Sequence, residues 1–198
     1  MIALGRYHAI SLAMKAKKPE QFEKFKALND FMSENFEEET FRGFLEQSLD
    51  RAMEMLPAED TKSRTRFKKM RDQAKQVLAD CVNPELIEPH GIVGHGDCWV
   101  NNFMYHYKKG DLPDDIVLID WQISRYCSPV VDLTYFIFAC TDRQMRQKHY
   151  DELLRIYHGS LKELLDHLGG DTVSQFPFTA LLRHLKKFAK FGIIMSTF

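Results

Sequence analysis

The chain has 198 residues, 44% of them hydrophobic, which is enough for one good domain with a sizeable core or for two small ones. With 27 basic against 28 acidic residues the formal net charge is -1, and this balance argues against a nucleic-acid partner, which would call for a basic excess. Four cysteines (Cys81, Cys98, Cys127, Cys140) show no Cys-x-x-Cys spacing and read as reduced thiols of a cytoplasmic protein rather than a disulfide framework.

Arg6, His8 and Lys15 punctuate the first apolar residues and no small-residue cleavage site follows, so no signal peptide is expected. No run approaches the roughly 18 apolar residues of a membrane span. The chain opens inside a helix, with Ile2, Ala3, Tyr7, Ile10, Leu12 and Met14 at loose helical spacing. Nothing before Ile2 caps it. Pro19 suits the first turn of a second helix whose apolar face is Phe22, Phe25, Leu28 and Phe31. A third is expected over 39–55, with Phe41, Phe44, Leu45, Leu49, Ala52 and Met53 inward and Pro57 ending it. A fourth spans 59–81, and its basic cluster at 62–71 reads as a solvated face.

Pro84 and Pro89 break this pattern. A short strand is expected at 92–93, and two more at 102–107 and 116–119, joined by the turn chemistry of Lys-Lys-Gly-Asp-Leu-Pro-Asp-Asp. Helices return at 131–140, at 142–168 and from 178 to the end. Gly169 and Gly170 stop the middle one. Its buried stripe is Tyr150, Leu153, Leu154, Tyr157, Leu161, Leu164 and Leu165. His8 reads as a packed helix histidine, His90 and His106 as surface or turn residues, and Cys98 as a small buried hydrophobe. The fold class is α+β, mainly helical, with one small β-hairpin.

Chemistry concentrates in residues 94–122, the stretch GHGDCWVNNFMYHYKKGDLPDDIVLIDWQ. Asp97, Asn102 and Asp120 put oxygen-bearing side chains at one end of the expected hairpin. Mg2+ takes oxygen ligands in near-octahedral geometry and keeps several waters, so a carboxylate, an amide oxygen and nucleotide phosphates satisfy it. Asp120 and Asn102 suit that role, which leaves Asp97 to accept a proton from a substrate hydroxyl. Phosphoryl transfer asks a protein mainly for positioning and charge neutralisation, so this small set can carry much of one side of a cleft.

His95-Gly96-Asp97 with Asn102, followed by Ile119-Asp120-Trp121, resembles the HxDxxxxN and metal-binding Asp motifs of choline kinases and aminoglycoside phosphotransferases, relatives of protein kinases. The text around them is closest to the ecdysteroid kinase-like (CHK kinase-like) family, in HGDCWVNN, LIDWQISRYCSPVVDLTYF, YDELLRIYHGSLKELL and the opening GRYHAISLAM. The resemblance covers essentially the whole chain. It implies a protein-kinase-like C-terminal lobe over 1–198, with its catalytic segment at 94–122, that uses ATP and Mg2+ on a small-molecule hydroxyl acceptor such as a steroid. It implies Asp97 as catalytic base or hydroxyl-orienting group, and Asn102 and Asp120 as metal ligands. His95 would be a structural member of the loop, Asp132 its brace through backbone N–H groups, and Met104 and Ile119 would lie against the adenine or near the metal site.

A working kinase of this type also has an N-terminal lobe, with a strand-rich nucleotide cover and a lysine for the phosphates. No such pattern is present, so the sequence reads as most of a C-lobe and as an incomplete enzyme. The competing reading is a non-catalytic kinase-like binding module. A third, a metal-dependent phosphoesterase built on His95, Asp97 and Asp120, would want further His or Asp ligands nearby, and no such cluster is seen.

Overall fold

The computed structural model describes residues 1–198, the side chain of Ser33 excepted. Seven helices precede the first strand. They are α1 (Ile2–Lys17), α2 (Pro19–Lys26), α3 (Phe31–Asn35), α4 (Glu39–Glu54), α5 (Thr61–Asp72), α6 (Ala74–Asp80) and α7 (Pro84–Ile87). Asp60 caps α5 by accepting from the Ser63 N–H, and Asn83 caps α7 by accepting from that of Glu85. The strands β1 (Ile92–Gly94), β2 (Phe103–His106), β3 (Asp115–Leu118) and β4 (Arg125–Cys127) follow, with a 3-10 turn at Val100–Asn102. Then come α8 (Val130–Cys140), α9 (Arg143–His167), α10 (Thr172–Gln175), α11 (Phe178–Phe188) and α12 (Lys190–Met195). The mainly helical α+β class is what the sequence led us to expect.

The strands make two separate antiparallel pairs. In the hairpin, Phe103 faces Leu118 and Met104 faces Val117. In the other pair, β1 and β4 run side by side with Gly94 opposite Arg125. The helical core sets where these pairs sit. α1 lies along α9, and Gly5 lets the two approach, because a Cβ there would overlap the Ser160 hydroxyl and the Tyr157 carbonyl. α12 crosses α8 with Gly192 directly against the Thr134 backbone. At its far end α1 is pinned by Lys15, whose ammonium pairs with Glu88 and donates to the Pro89 carbonyl at 2.9 Å and the Tyr126 hydroxyl at 2.8 Å. That fixes the entry to β1.

Several expectations need correction. The buried face of α1 is Leu4, Gly5, His8, Ala9, Ser11, Leu12 and Ala13, while Ile2 and Ile10 are exposed, because the helix turns its small residues to α9. α2 ends at Lys26, so Leu28 and Phe31 lie beyond it and are exposed. Phe44 points outward and stacks on Phe198, with ring centroids 5.1 Å apart. The helix expected over 59–81 is broken at Gln73, which lets charged α5 lie against α4 while α6 reaches the core. The last helix breaks likewise at Ala189. His90 is buried, and its Nδ1–H donates to the Gln175 carbonyl at 2.8 Å. No strand is expected over 125–127, yet β4 forms there and all three of its residues are buried.

Candidate functional site

The segment after β1 is held from beneath and from one side. Asp132, in the first turn of α8, accepts the His95 N–H at 2.7 Å and the Gly96 N–H at 2.8 Å. It is fully buried, and the positive end of its own helix favours a carboxylate there. His8 of α1 reaches the same carboxylate through Nε2 at 3.1 Å and the Tyr157 hydroxyl of α9 through Nδ1 at 2.7 Å. With Nε2–H given to Asp132, Nδ1 accepts from that hydroxyl, whose proton burial holds firmly. Burial alone would favour the neutral acid at Asp132, but the His8 ring and the two backbone N–H groups hold its carboxyl below the usual range. Three helices and the loop thus meet at one buried carboxylate.

From the side, the His95 ring ties the loop to the end of β3. Its Nε2 donates to the Ile119 carbonyl at 2.9 Å, and its Nδ1 accepts from the Asp97 N–H at 3.2 Å, a pattern that requires the proton on Nε2. Between them Gly96 adopts φ +88°, and a Cβ there would overlap the Ile123 carbonyl and lie 3.2 Å from Arg125 Nε. Glycine is required at this turn both for its backbone conformation and for space.

Asp97 and Asn102 are joined directly. The Asn102 amide nitrogen donates to Asp97 Oδ2 at 2.8 Å and to the Asp97 carbonyl at 3.0 Å. Both donor positions are thereby drawn to Asp97, which leaves the amide oxygen as the acceptor end of Asn102. The Asn102 carbonyl in turn accepts the Ile119 N–H at 3.0 Å, which sets Asp120 beside it in the chain. Asp120 is exposed and holds φ +65°, a left-handed conformation rare for a residue with a side chain. Strain of this kind concentrates at functional sites. Among the described residues no group of three or more His, Cys, Asp or Glu side chains could hold a metal. The chain therefore offers one exposed carboxylate and one amide oxygen, a sparse oxygen set that suits Mg2+ completed by phosphate and water, and is too sparse for a closed protein cage.

Of the other residues singled out from sequence, Met104 lies on β2 opposite Val117, and the two form an exposed apolar pair 59% and 56% accessible. Ile119 is half-buried and takes part through its backbone, as above. Cys98 is fully buried, and burial with Asp132 beside it pushes its thiol well up, so it is no reactive thiolate.

Four participants were missed from the sequence. His8 was read as core packing and proves to be a hydrogen-bonded partner of Asp132. Trp121 lays its ring 4.5 Å from that of His95 and 4.9 Å from that of Tyr7. Arg125, 1% exposed, gives Nη1 to Asp30 at 2.8 Å and Nε to the Ile123 carbonyl at 3.3 Å, stiffening the turn behind Gly96. Tyr135 of α8 faces the Asp97 carboxylate; burial first, then the charge and hydrogen bonding of Asp97, hold its hydroxyl protonated. The signal available for His8 was its helical spacing between Leu4 and Leu12, which puts a titratable ring on the packed face of α1.

Tyr135 and Asp97 share a cavity of about 330 Å³ with Trp99, Phe138, Ala139 and Met195. A larger one of about 630 Å³ lies away from Asp97, between the start of α1, the hairpin and α9. No helix among the described residues is long and apolar enough to cross a membrane.

A family model described as the ecdysteroid kinase-like family matches residues 1–170. No curated protein and no solved structure matches the chain.

Proposed function

The chain belongs to the ecdysteroid kinase-like family, and from that premise we propose that it is the catalytic-loop lobe of an ATP-dependent phosphotransferase acting on a small-molecule hydroxyl. One observation carries the reading. The Asn102 amide is hydrogen-bonded to the Asp97 carboxylate, and the Asn102 backbone carbonyl accepts the N–H of Ile119, the residue before Asp120. That joins a proton acceptor to a pair of oxygen donors of the kind phosphoryl transfer uses.

In this reading Asp97 faces the acceptor and takes its hydroxyl proton as that oxygen bonds to the γ-phosphorus and the bond to the β–γ bridging oxygen of ATP breaks. The Asn102 amide and Asp120 would hold Mg2+, which would neutralise charge on the phosphates. Met104 and Ile119 lie on the adenine side. His95 and Asp132 keep the loop in place, and the cavity beside Asp97 receives the acceptor. Its position against that carboxylate supports this last assignment. A cytoplasmic setting fits the four free thiols.

The reading is tested by incubating the natural full-length chain with γ-labelled ATP, Mg2+ and a set of uncharged alcohols. Label should pass to an alcohol, and Asp97→Ala should abolish it. A protein that binds no nucleotide with or without Mg2+ would sink the reading.

A further inference from the structure

The cavity beside Asp97 has a one-sided chemistry. Trp99, Phe138, Ala139, Met195 and the Phe198 side chain give it apolar walls, Ser196 and the Tyr135 hydroxyl are its neutral polar groups, and Asp97 is the one lining residue with an acidic side chain. Arg146 does not line the cavity; its guanidinium stacks over Phe138, 5.5 Å from the ring centre, and is bonded to the Thr141 carbonyl. A carboxylate or phosphate on the ligand would therefore enter an apolar pocket opposite another anion, with no lining cation to offset its desolvation. An uncharged alcohol meets the reverse situation, since its body is matched by the walls and its hydroxyl by two polar groups.

Those two groups are fixed from different elements. Asn102 holds Asp97 from the turn before β2, at 2.8 Å. Tyr135 approaches from α8, whose backbone is locked against Gly192 of α12. A phenol hydroxyl both donates and accepts, so it can donate a hydrogen bond to Asp97 and still accept one from a ligand hydroxyl.

We propose that Tyr135 is a positioning residue for the acceptor: with Asp97 it orients the ligand hydroxyl in the α8–α12 cavity, which selects alcohols with an apolar body and no negative charge. This rests on the phosphotransfer reading for the role of Asp97, while its test uses no nucleotide, so the two can fail separately.

The probes are 2-phenylethanol, its counterpart ethylbenzene without the hydroxyl, and 4-(2-hydroxyethyl)benzoate, which adds a carboxylate. Binding is followed by the indole N–H resonance of Trp99, with that of Trp121 outside the cavity as reference. We expect 2-phenylethanol to shift the Trp99 resonance saturably and 4-(2-hydroxyethyl)benzoate to bind at least tenfold more weakly. Tyr135→Phe should weaken 2-phenylethanol about three- to tenfold and leave ethylbenzene within twofold of wild type. A purely structural role for Tyr135 would move both ligands together, and that result overturns the proposal. So does equal binding of the alcohol and the carboxylate, or no response of Trp99 to 2-phenylethanol. If Tyr135→Phe does not fold, the comparison of these two ligands on the wild-type protein still decides the charge selection.

Discussion

His8→Ala removes the residue that joins α1 and α9 to the loop carrying Asp97. Two contacts are lost, Nε2 to Asp132 at 3.1 Å and Nδ1 to Tyr157 at 2.7 Å, in a site where His8 and Asp132 are both fully buried. Taking away a hydrogen-bond donor from a buried polar group costs about 1–3 kcal/mol, and more where the group left behind is charged. Asp132 keeps two backbone N–H donors, from His95 and Gly96, but the buried ring also leaves a cavity, so we expect about 3 kcal/mol. Tyr157→Phe is the control, since it deletes only a hydroxyl and should cost about 1 kcal/mol. Urea denaturation followed by far-UV circular dichroism measures both. At an m-value of about 2 kcal/mol/M the His8→Ala midpoint falls by about 1.5 M. A loss below about 1 kcal/mol, or one no larger than that of Tyr157→Phe, would refute the idea that this pair braces the loop.

Gly5→Ala should destabilise by about 1–3 kcal/mol through overpacking of α1 on α9, whereas Gly43→Ala and Gly159→Ala, which meet open space within helices, should stabilise by about 0.5–1 kcal/mol; thermal melts give all three. Gly96→Ala combines φ +88° with overlap of the Ile123 carbonyl, so it should cost more than 2 kcal/mol or displace the loop, seen as altered resonances of Asp97 and Asn102. His184, packed against His90 with ring centroids 5.3 Å apart, is pushed down to about 4 by burial, then by His90, Arg183 and Lys187. The unfolded chain then binds the proton first, so stability is full above about pH 6.5 and falls by about 1.4 kcal/mol per unit as the pH drops towards 4. The same slope measured in His184→Gln should be shallower between pH 6.5 and 5, and an unchanged slope would rule this histidine out as its source.

The long amphipathic elements were legible because their periodicity is strong. α9 follows its Tyr150-to-Leu165 stripe and starts where Asp142 caps it, accepting the Met145 N–H at 2.7 Å. The hairpin was legible for a different reason, the turn residues between two apolar runs. β4 and the short helices α3, α7 and α10 were not, since three to five residues are too few to show a period. At the site, local sequence could bring Asp97 and Asn102 together because they are five residues apart. It could not show that His8 meets Asp132, 124 positions away, or that Arg125 finds Asp30 95 positions back. Those contacts depend on the α1–α9 packing and on the β1–β4 pairing, which are tertiary facts. His8 stands where an apolar residue would also fit the helical pattern, so pattern alone assigns it to the core and is silent on the partner.

The central claim is that Asn102 and Asp120 hold a divalent ion against nucleotide phosphates beside Asp97. Mn2+ in place of Mg2+ tests it through paramagnetic broadening of nearby resonances in the natural full-length chain. With ATP present, substoichiometric Mn2+ should broaden the Asn102 side-chain amide and the neighbouring Met104 methyl while sparing the Met55 methyl on the far helices, and Asp120→Asn should remove the effect. Broadening that ignores ATP, that spares Asn102, or that survives Asp120→Asn unchanged would contradict the account.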